Sequence, residues 1–255
     1  MFVGIITNTG ACASIAGAWS QGADGVEVGV APPMPVEEVG RRAGIVILEA
    51  GGETLRADLA VLQPLIGVGG VLVSTAPSVS FDVLRSFAGP QVTLLRAVIP
   101  VGSERGEGVV ALAAEVDTNP QTVELVKAVF SGLGTVEIVS EEALDAVAAL
   151  ALGGAAFLCE ALQGLEDGAV RDGLPRDTAR AFVQHTALAT ALLLRDHAGS
   201  PADLKDQVAS PGGTTIAAIA SLEDAGVRGA YLRAVQRTAV EVRGRRDAAR
   251  MAVVE

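Results

Sequence analysis

The segment Ser-Pro-Gly-Gly-Thr-Thr, residues 210–215, places hydroxyl side chains and a tight turn directly before an apolar stretch that suits a helix. The first N–H groups of such a helix have no intrahelical partner and lie at the positive end of its dipole. With hydroxyls beside them, these groups suit a carboxylate. The alternative is that a Ser or Thr hydroxyl only caps the helix. The predicted ligand-binding residues are Ser210, Gly212, Gly213, Thr214 and Thr215.

A second polar turn follows the apolar run at residues 1–6, where a dinucleotide-binding βαβ unit would begin. A G-x-G-x-x-G fingerprint starting at position 7 requires glycine at positions that hold Thr7, Thr9 and Cys12 here. Each added β-carbon occupies space that the phosphates or the tight turn need. We therefore expect a degenerate cofactor site, weak or lost, formed by Thr7, Asn8, Thr9, Gly10, Ala11 and Cys12.

Few side chains in the first half of the chain are candidates for catalysis. Cys12, near a helix N-terminus, is a candidate nucleophile if that position lowers its thiol pKa, although a small buried residue is the simpler interpretation. Glu49, Glu104 and Arg105 follow predicted strands, where open α/β sheets bind ligands. They are acid–base candidates, and solvated loop charges are the commoner explanation for such residues.

Soft metal ligands are scarce. The two cysteines, Cys12 and Cys159, lie far apart, and the chain has only two histidines, His185 and His197. A histidine in the middle of a helix, as His185 is predicted to be, more often packs or faces a partner than acts as a base. We expect no metal site.

Composition restricts the classes of partner. The chain has 255 residues, 50% of them hydrophobic, and a net charge of -11, so it has enough apolar material for one large or two smaller cores and repels phosphate backbones. Its cations are scattered except for Arg243, Arg245 and Arg246. No basic leader precedes an apolar segment, and Gly, Asp or Glu interrupts the apolar runs before they reach the length of a membrane span. We expect a cytoplasmic protein with neither a nucleic-acid nor a membrane partner.

The elements that must position these residues change character along the chain. Seven short apolar runs alternate with helical stretches and predict a largely parallel sheet: residues 2–6, 25–30, 44–48, 68–74, 92–97, 108–113 and 135–139. Beyond residue 140 the spacing is helical, with predicted helices at 141–165, 176–197, 200–208, 214–225 and 228–249. The sequence thus predicts a Rossmann-like α/β domain at 1–140 and an all-α domain at 141–250.

Three segments of the helical half carry a family resemblance. They are LKDQVASPGGTTIAAIASLEDAGVRGAYLRAV (204–235), GLPRDTARAFVQHTAL (173–188) and EEALDAVAAL (141–150), and they resemble pyrroline-5-carboxylate reductase in type and order. That family reduces a cyclic imino acid to proline with NAD(P)H. The resemblance implies a Rossmann domain, an interlocking helical domain that forms a homodimer, and larger rings of dimers. It also implies that the 210–215 segment holds the ligand carboxylate, with Thr215 near the ring.

The chain departs from the family pattern in five separate segments. One is the first turn, and a second is Val30–Pro33, where no side chain can donate a hydrogen bond to a 2′-phosphate. In the other three, Gly51-Gly52 replaces the family's Lys-Pro, Val98–Gly102 replaces Met-Pro-Asn-Thr-Pro, and Ala151–Phe157 lacks the family's serines. The favoured hypothesis is a non-redox enzyme, without a cofactor, that acts on an amino-acid-like or cyclic-imine ligand by cyclisation, dehydration or isomerisation. Thr215, Glu49 and Cys12 are its candidate catalytic residues. The alternatives are an active imine reductase that uses NADP or NAD, and a non-catalytic binding or partner subunit.

Overall fold

The computed structural model describes residues 1–7, 12, 15–17, 25–51, 53–67 and 69–254. By their contacts these residues form two compact units. The first unit contains Met1–Leu152 and the segment that begins at Thr238, and the second contains Gly153–Arg237. The predicted division at residue 140 remains a prediction.

The first unit is built on one seven-stranded sheet with the order β2-β1-β3-β4-β5-β6-β7. All seven predicted strands are confirmed, with bounds that shift by a few residues. They are β1 Phe2–Thr7, β2 Glu27–Ala31, β3 Ile45–Glu49, β4 Val71–Ser74, β5 Thr93–Val98, β6 Gly108–Ala114 and β7 Gly134–Ile138. The order and the helical connections make this a Rossmann-like α/β unit.

The sheet is not parallel throughout, because β6 runs antiparallel to β5 while β7 is parallel to β6. The connection at residues 99–107 is shorter than the dozen or so residues that a parallel crossover needs. It contains a 3₁₀ turn, Ser103–Arg105, flanked by Gly102 and Gly106, whose φ angles of 90° and 74° favour glycine. The chain therefore reverses direction after β5, which the predicted strand pattern did not reveal.

Helices cover both faces of this sheet. They are α1 Val36–Arg42, α2 Glu53–Leu62, α3 Phe81–Ala88, α4 Pro120–Phe130 and the start of α5, Glu141–Arg171. Cys12 and residues 15–17 also have helical backbone. Alternate residues of β3 enter opposite cores: Val46 and Leu48 pack with α1 to α3, whereas Ile45 and Ile47 pack with Phe130 of α4. Burial on both faces explains why these strands are apolar without alternation.

An ion pair ties β5 to the start of α5. The side chain of Arg96 is only 2% exposed, and its Nη1 donates to Glu141 Oε1 at 2.7 Å while its Nη2 donates to the carbonyl oxygen of Pro77 at 3.0 Å. The same carboxylate oxygen accepts the backbone N–H of Phe81 at 2.7 Å. Burial lowers the pKa of Arg96, and Glu141 opposes that shift. The pair therefore holds Pro77, which lies at the site described below.

With α5, the four remaining helices match the five predicted in the second half of the chain. After α5 they are α6 Arg176–Asp196, α7 Pro201–Val208, α8 Thr214–Asp224 and α9 Val227–Val254. In the second unit large apolar side chains are exposed, among them Leu158, Phe182 and Leu193 at 65%, 68% and 58%. These surfaces lack cover within a single chain.

One expectation about apolar runs needs correction. The helix Glu141–Arg171 is long and apolar enough to cross a membrane by length and composition, whereas the sequence predicts that Gly, Asp or Glu interrupts every run of that length. Its glycines and few acidic residues do not break the helix. Length and composition do not distinguish a membrane span from a helix that a partner chain covers.

The Arg96–Glu141 pair predicts an asymmetric response to mutation. Glu141→Ala should lower the free energy of unfolding by about 3 kcal/mol, because it leaves a buried cation without its partner. Arg96→Met should cost less, about 1–2 kcal/mol, because it removes the buried charge and Glu141 is 29% exposed and can be hydrated. Urea unfolding at one protein concentration measures both, with Glu142→Ala as the exposed control. Greater damage from Arg96→Met would contradict this assignment.

Candidate functional site

The site begins where β1 and β3 end side by side. Thr7 and Glu49 are register partners at the carboxyl ends of these two parallel strands. The Thr7 hydroxyl donates to Glu49 Oε2, and the backbone N–H of Cys12 donates to the same oxygen at 3.1 Å. The structure thus brings together three of the residues that the sequence singled out, and it places the carboxylate of Glu49 on the amide of Cys12.

Cys12 is a buried residue, 4% exposed, and its Sγ lies 3.5 Å from the hydroxyl oxygen of Thr75. Burial raises the pKa of the Cys12 thiol to about 12; the hydrogen bond with Thr75 lowers this pKa in part, and the nearby charge of Glu49 raises it. This pKa contradicts the candidate role as a nucleophile with a lowered thiol pKa, and it agrees with the simpler interpretation of Cys12 as a small buried residue. The thiol is protonated at neutral pH and fills the place of a small hydrophobic residue.

This pKa predicts an unreactive thiol in the folded protein. In a Cys159→Ser background, Cys12 should resist iodoacetamide at pH 8, and it should react fully once guanidinium unfolds the chain. Because the folded pKa is raised above the unfolded value of 9.0, folding stability linked to this proton is fully present below pH 9 and is lost as the pH rises towards 12. Mass spectrometry of the alkylated protein measures the reaction, and rapid modification at pH 8 under native conditions would contradict the burial argument.

A cavity of about 500 Å³ opens at this end of the sheet. Its walls include Cys12, Glu49 and Gly51, together with Glu104 from the β5–β6 connection. Arg105 does not line it, although the sequence grouped Arg105 with Glu104. Asn8, Thr9, Gly10 and Ala11 lie outside the described residues, so their predicted part in a cofactor site stays a prediction. All of the lining residues belong to the first unit.

Sequence reasoning missed the loop that follows β4. Thr75, Ala76, Pro77 and Ser78 line the cavity beside the residues from β3. Their place in the sequence could have identified them, because they directly follow the predicted strand 68–74. The carboxyl ends of parallel strands lie at one edge of the sheet, where ligands bind. The hydrogen bond from Arg96 to the Pro77 carbonyl fixes this loop, and sequence alone gives no indication of that contact.

The 210–215 segment belongs to the second unit and forms a turn directly before α8. The N–H of Gly213 donates to the Ser210 carbonyl at 3.0 Å, and Gly212 has a φ of 69°, which favours glycine. Gly213 is the N-cap residue, and no side chain caps the helix. The capping alternative is therefore wrong for these hydroxyls. Ser210, Thr214 and Thr215 are exposed in the single chain.

Within the part of the chain that the structure describes, no three His, Cys, Asp or Glu side chains are grouped as metal ligands. Cys159 is exposed on α5, and His197 ends α6, where its Nε2 is buried without a hydrogen-bond partner. His185 lies inside α6 and is exposed. None of these residues lines the cavity beside Glu49.

The fold and the helical half define a class of protein: a Rossmann-like α/β unit combined with a helical dimerisation region. Residues 141–244 match the family model for pyrroline-5-carboxylate reductase dimerisation. Comparison of whole chains extends this similarity beyond the helices.

The chain is 39% identical over 147 residues to the pyrroline-5-carboxylate reductase of Synechocystis sp., which covers 58% of this chain and 55% of that protein. It is 31% identical over 197 residues to the Methanosarcina acetivorans enzyme, covering 77% and 73%. A solved structure of Plasmodium falciparum pyrroline carboxylate reductase with NADP bound has a similar fold, with a TM-score of 0.87, 18% identity, and coverage of 96% and 98%. The chain belongs to the pyrroline-5-carboxylate reductase family, as its signature segments predicted.

Proposed function

We propose that this family member binds an amino-acid-like or cyclic-imine carboxylate and acts on it by a non-redox step, namely cyclisation, dehydration or isomerisation, in specialised metabolism. It does so without NAD(P)H as a hydride donor. The observation that carries the proposal is the hydrogen bond between the Cys12 amide and the carboxylate of Glu49. The Thr7 hydroxyl bonds to the same carboxylate oxygen.

An anionic cofactor fits these residues poorly. In dinucleotide-binding sheets the amides that follow the first strand receive the pyrophosphate, and here one of them already donates to a carboxylate. A second anion brought within about 4 Å of Glu49 would be opposed by about 4 kcal/mol at an effective dielectric constant of about 20. A hydrogen bond to a charged group contributes about 1.5–3 kcal/mol, so one such bond would not offset the repulsion.

The ligand class follows from the turn at residues 210–215. Its free amides lie at the start of α8, no side chain occupies them as a cap, and hydroxyls stand on either side. In this proposal Ser210, Gly212, Gly213, Thr214 and Thr215 bind the carboxylate, and Thr215 lies near the ring of the ligand. The homodimer that the dimerisation region forms covers the apolar helices of the second unit.

A second candidate is an NAD(P)H-dependent imine reductase. Family membership favours it, since the curated relatives are reductases and the Plasmodium protein binds NADP. In that case residues outside the Glu49 site would have to supply the phosphate contacts. Cofactor binding separates the two candidates.

We expect NADPH and NADH to bind more weakly than about 100 µM in calorimetric titration. Glu49→Ala should strengthen NADPH binding by about 100- to 1,000-fold, because it removes a repulsion of about 4 kcal/mol and frees the Cys12 amide. Glu104→Ala removes an equal charge from the same cavity without freeing that amide, and it serves as the matched control.

Low-micromolar NADPH binding by the wild-type protein would reject the proposal in favour of the reductase. An equal gain from both variants would show that the general charge of the cavity, rather than the Glu49–Cys12 contact, limits cofactor binding.

The turn at residues 210–215 predicts that the protein binds a small carboxylate. Proline should raise the melting temperature of the wild-type protein, because a ligand that binds only the folded state stabilises it. Thr215→Val should weaken that ligand by about 10- to 100-fold through the loss of one hydrogen bond to a charged group. Thr214→Val, a matched change at the neighbouring position, should have a smaller effect.

If proline raises the melting temperature of the wild type and of both variants equally, the Thr214 and Thr215 hydroxyls do not bind the ligand. If neither proline nor a related carboxylate shifts the wild-type protein at all, the third alternative, a non-catalytic partner subunit, becomes the better account.

A further inference from the structure

A second cavity of about 380 Å³ adjoins the one beside Glu49. Pro77, Ser78 and Leu152 line both cavities, so the two meet at these residues. The far wall of the second cavity is formed by α9, through Thr238, Glu241, Val242 and Arg245. Every lining residue belongs to the first unit, so the pair of cavities is a feature of that unit alone.

One end of this space holds a cation, Arg245, beside Glu241, and the charged residues at the other end are all acidic. Arg245 is the only cation among the described residues that line either cavity. Its guanidinium makes no hydrogen bond or ion pair with the described part of the chain. Glu241, one turn earlier on α9, already takes part in a polar or electrostatic interaction. Arg246, the next residue, is instead paired with Asp145 at 2.5 Å. Arg245 is therefore available to a ligand.

At the opposite end the charged residues are Glu49 and Glu104. Glu49 is bonded to Thr7 and Cys12, but Glu104 is exposed on the 3₁₀ turn and has no described partner. Between the two charged ends the lining is mainly apolar, with Val98, Ile99 and Leu152, and Ser78 lines both cavities. A chain of methylene groups suits such a passage.

We propose that the two cavities form one binding site for a small organic zwitterion with an apolar chain, whose carboxylate pairs with Arg245 and whose ammonium group lies near Glu104. A guanidinium binds a carboxylate through two parallel hydrogen bonds, which makes Arg245 a suitable anchor. Ser78, which lines both cavities, offers a hydroxyl group that can donate a hydrogen bond to the ligand. This site is separate from the turn at residues 210–215, and it rests on the proposed function, because a dinucleotide bound at the strand ends would fill the cavity beside Glu49.

Calorimetric titration of the full-length protein with 6-aminohexanoate tests the proposal, with hexanoate and hexylammonium as probes that carry one charge each. The zwitterion should bind more tightly than either. Arg245→Gln should weaken 6-aminohexanoate and hexanoate by about 10- to 100-fold and leave hexylammonium unchanged. Arg243→Gln, which removes an exposed cation from the same helix outside the cavity, is the matched control and should bind like the wild type. Glu104→Gln should weaken only the two probes that carry an ammonium group.

Three outcomes would overturn the proposal: no binding of 6-aminohexanoate, equal binding by the wild type and Arg245→Gln, or equal losses in Arg245→Gln and Arg243→Gln. The Thr215→Val variant separates this site from the proposed function. Loss of 6-aminohexanoate binding in Thr215→Val but not in Arg245→Gln would place the ligand on the 210–215 turn, which rejects the cavity proposal and leaves the proposed function standing.

Discussion

The hydrogen bonds that converge on the carboxylate of Glu49 determine what the end of the sheet can bind. One carboxylate oxygen joins the end of β1, through the Thr7 hydroxyl, to the helical turn that follows it, through the Cys12 amide. The parallel pairing of β1 with β3 makes this contact possible, because it places Thr7 and Glu49 opposite each other. A negatively charged side chain thus lies where an open α/β sheet usually presents free amides to an anion.

Two further interactions shape the same site. The charge of Glu49 adds to burial in keeping the Cys12 thiol protonated, which leaves Cys12 a packing residue. Arg96 holds the Pro77 carbonyl, so the cavity beside Glu49 has one wall fixed by a buried ion pair. In this account, anion recognition has moved from the strand ends to two other places: the turn before α8 and the guanidinium of Arg245.

The sequence predicted the elements well and the contacts between them poorly. Strand and helix positions follow from apolar spacing and from Gly and Pro breakers, and burial of both faces of β3 confirms the reason for its unbroken apolar run. The reversal at β6 depends on the length of the loop at residues 99–107, and the prediction did not weigh that length. The Glu49–Cys12 contact, the role of Arg96 and the position of Arg245 depend on residues that are distant in the chain, and no local pattern encodes those distances. The family resemblance was recognisable because its longest signature, residues 204–235, is one continuous segment that two shorter segments support.

An assay of hydride transfer decides whether this protein acts without NAD(P)H. Purified protein is mixed with pyrroline-5-carboxylate and either NADPH or NADH, and cofactor oxidation is followed by absorbance alongside chromatographic detection of proline, with a family member of known activity as the positive control. For the wild-type protein we expect neither cofactor oxidation nor proline formation above the rate without enzyme. Sustained formation of proline with matching consumption of either cofactor would contradict it and would make this chain a reductase that tolerates a carboxylate at the end of β3.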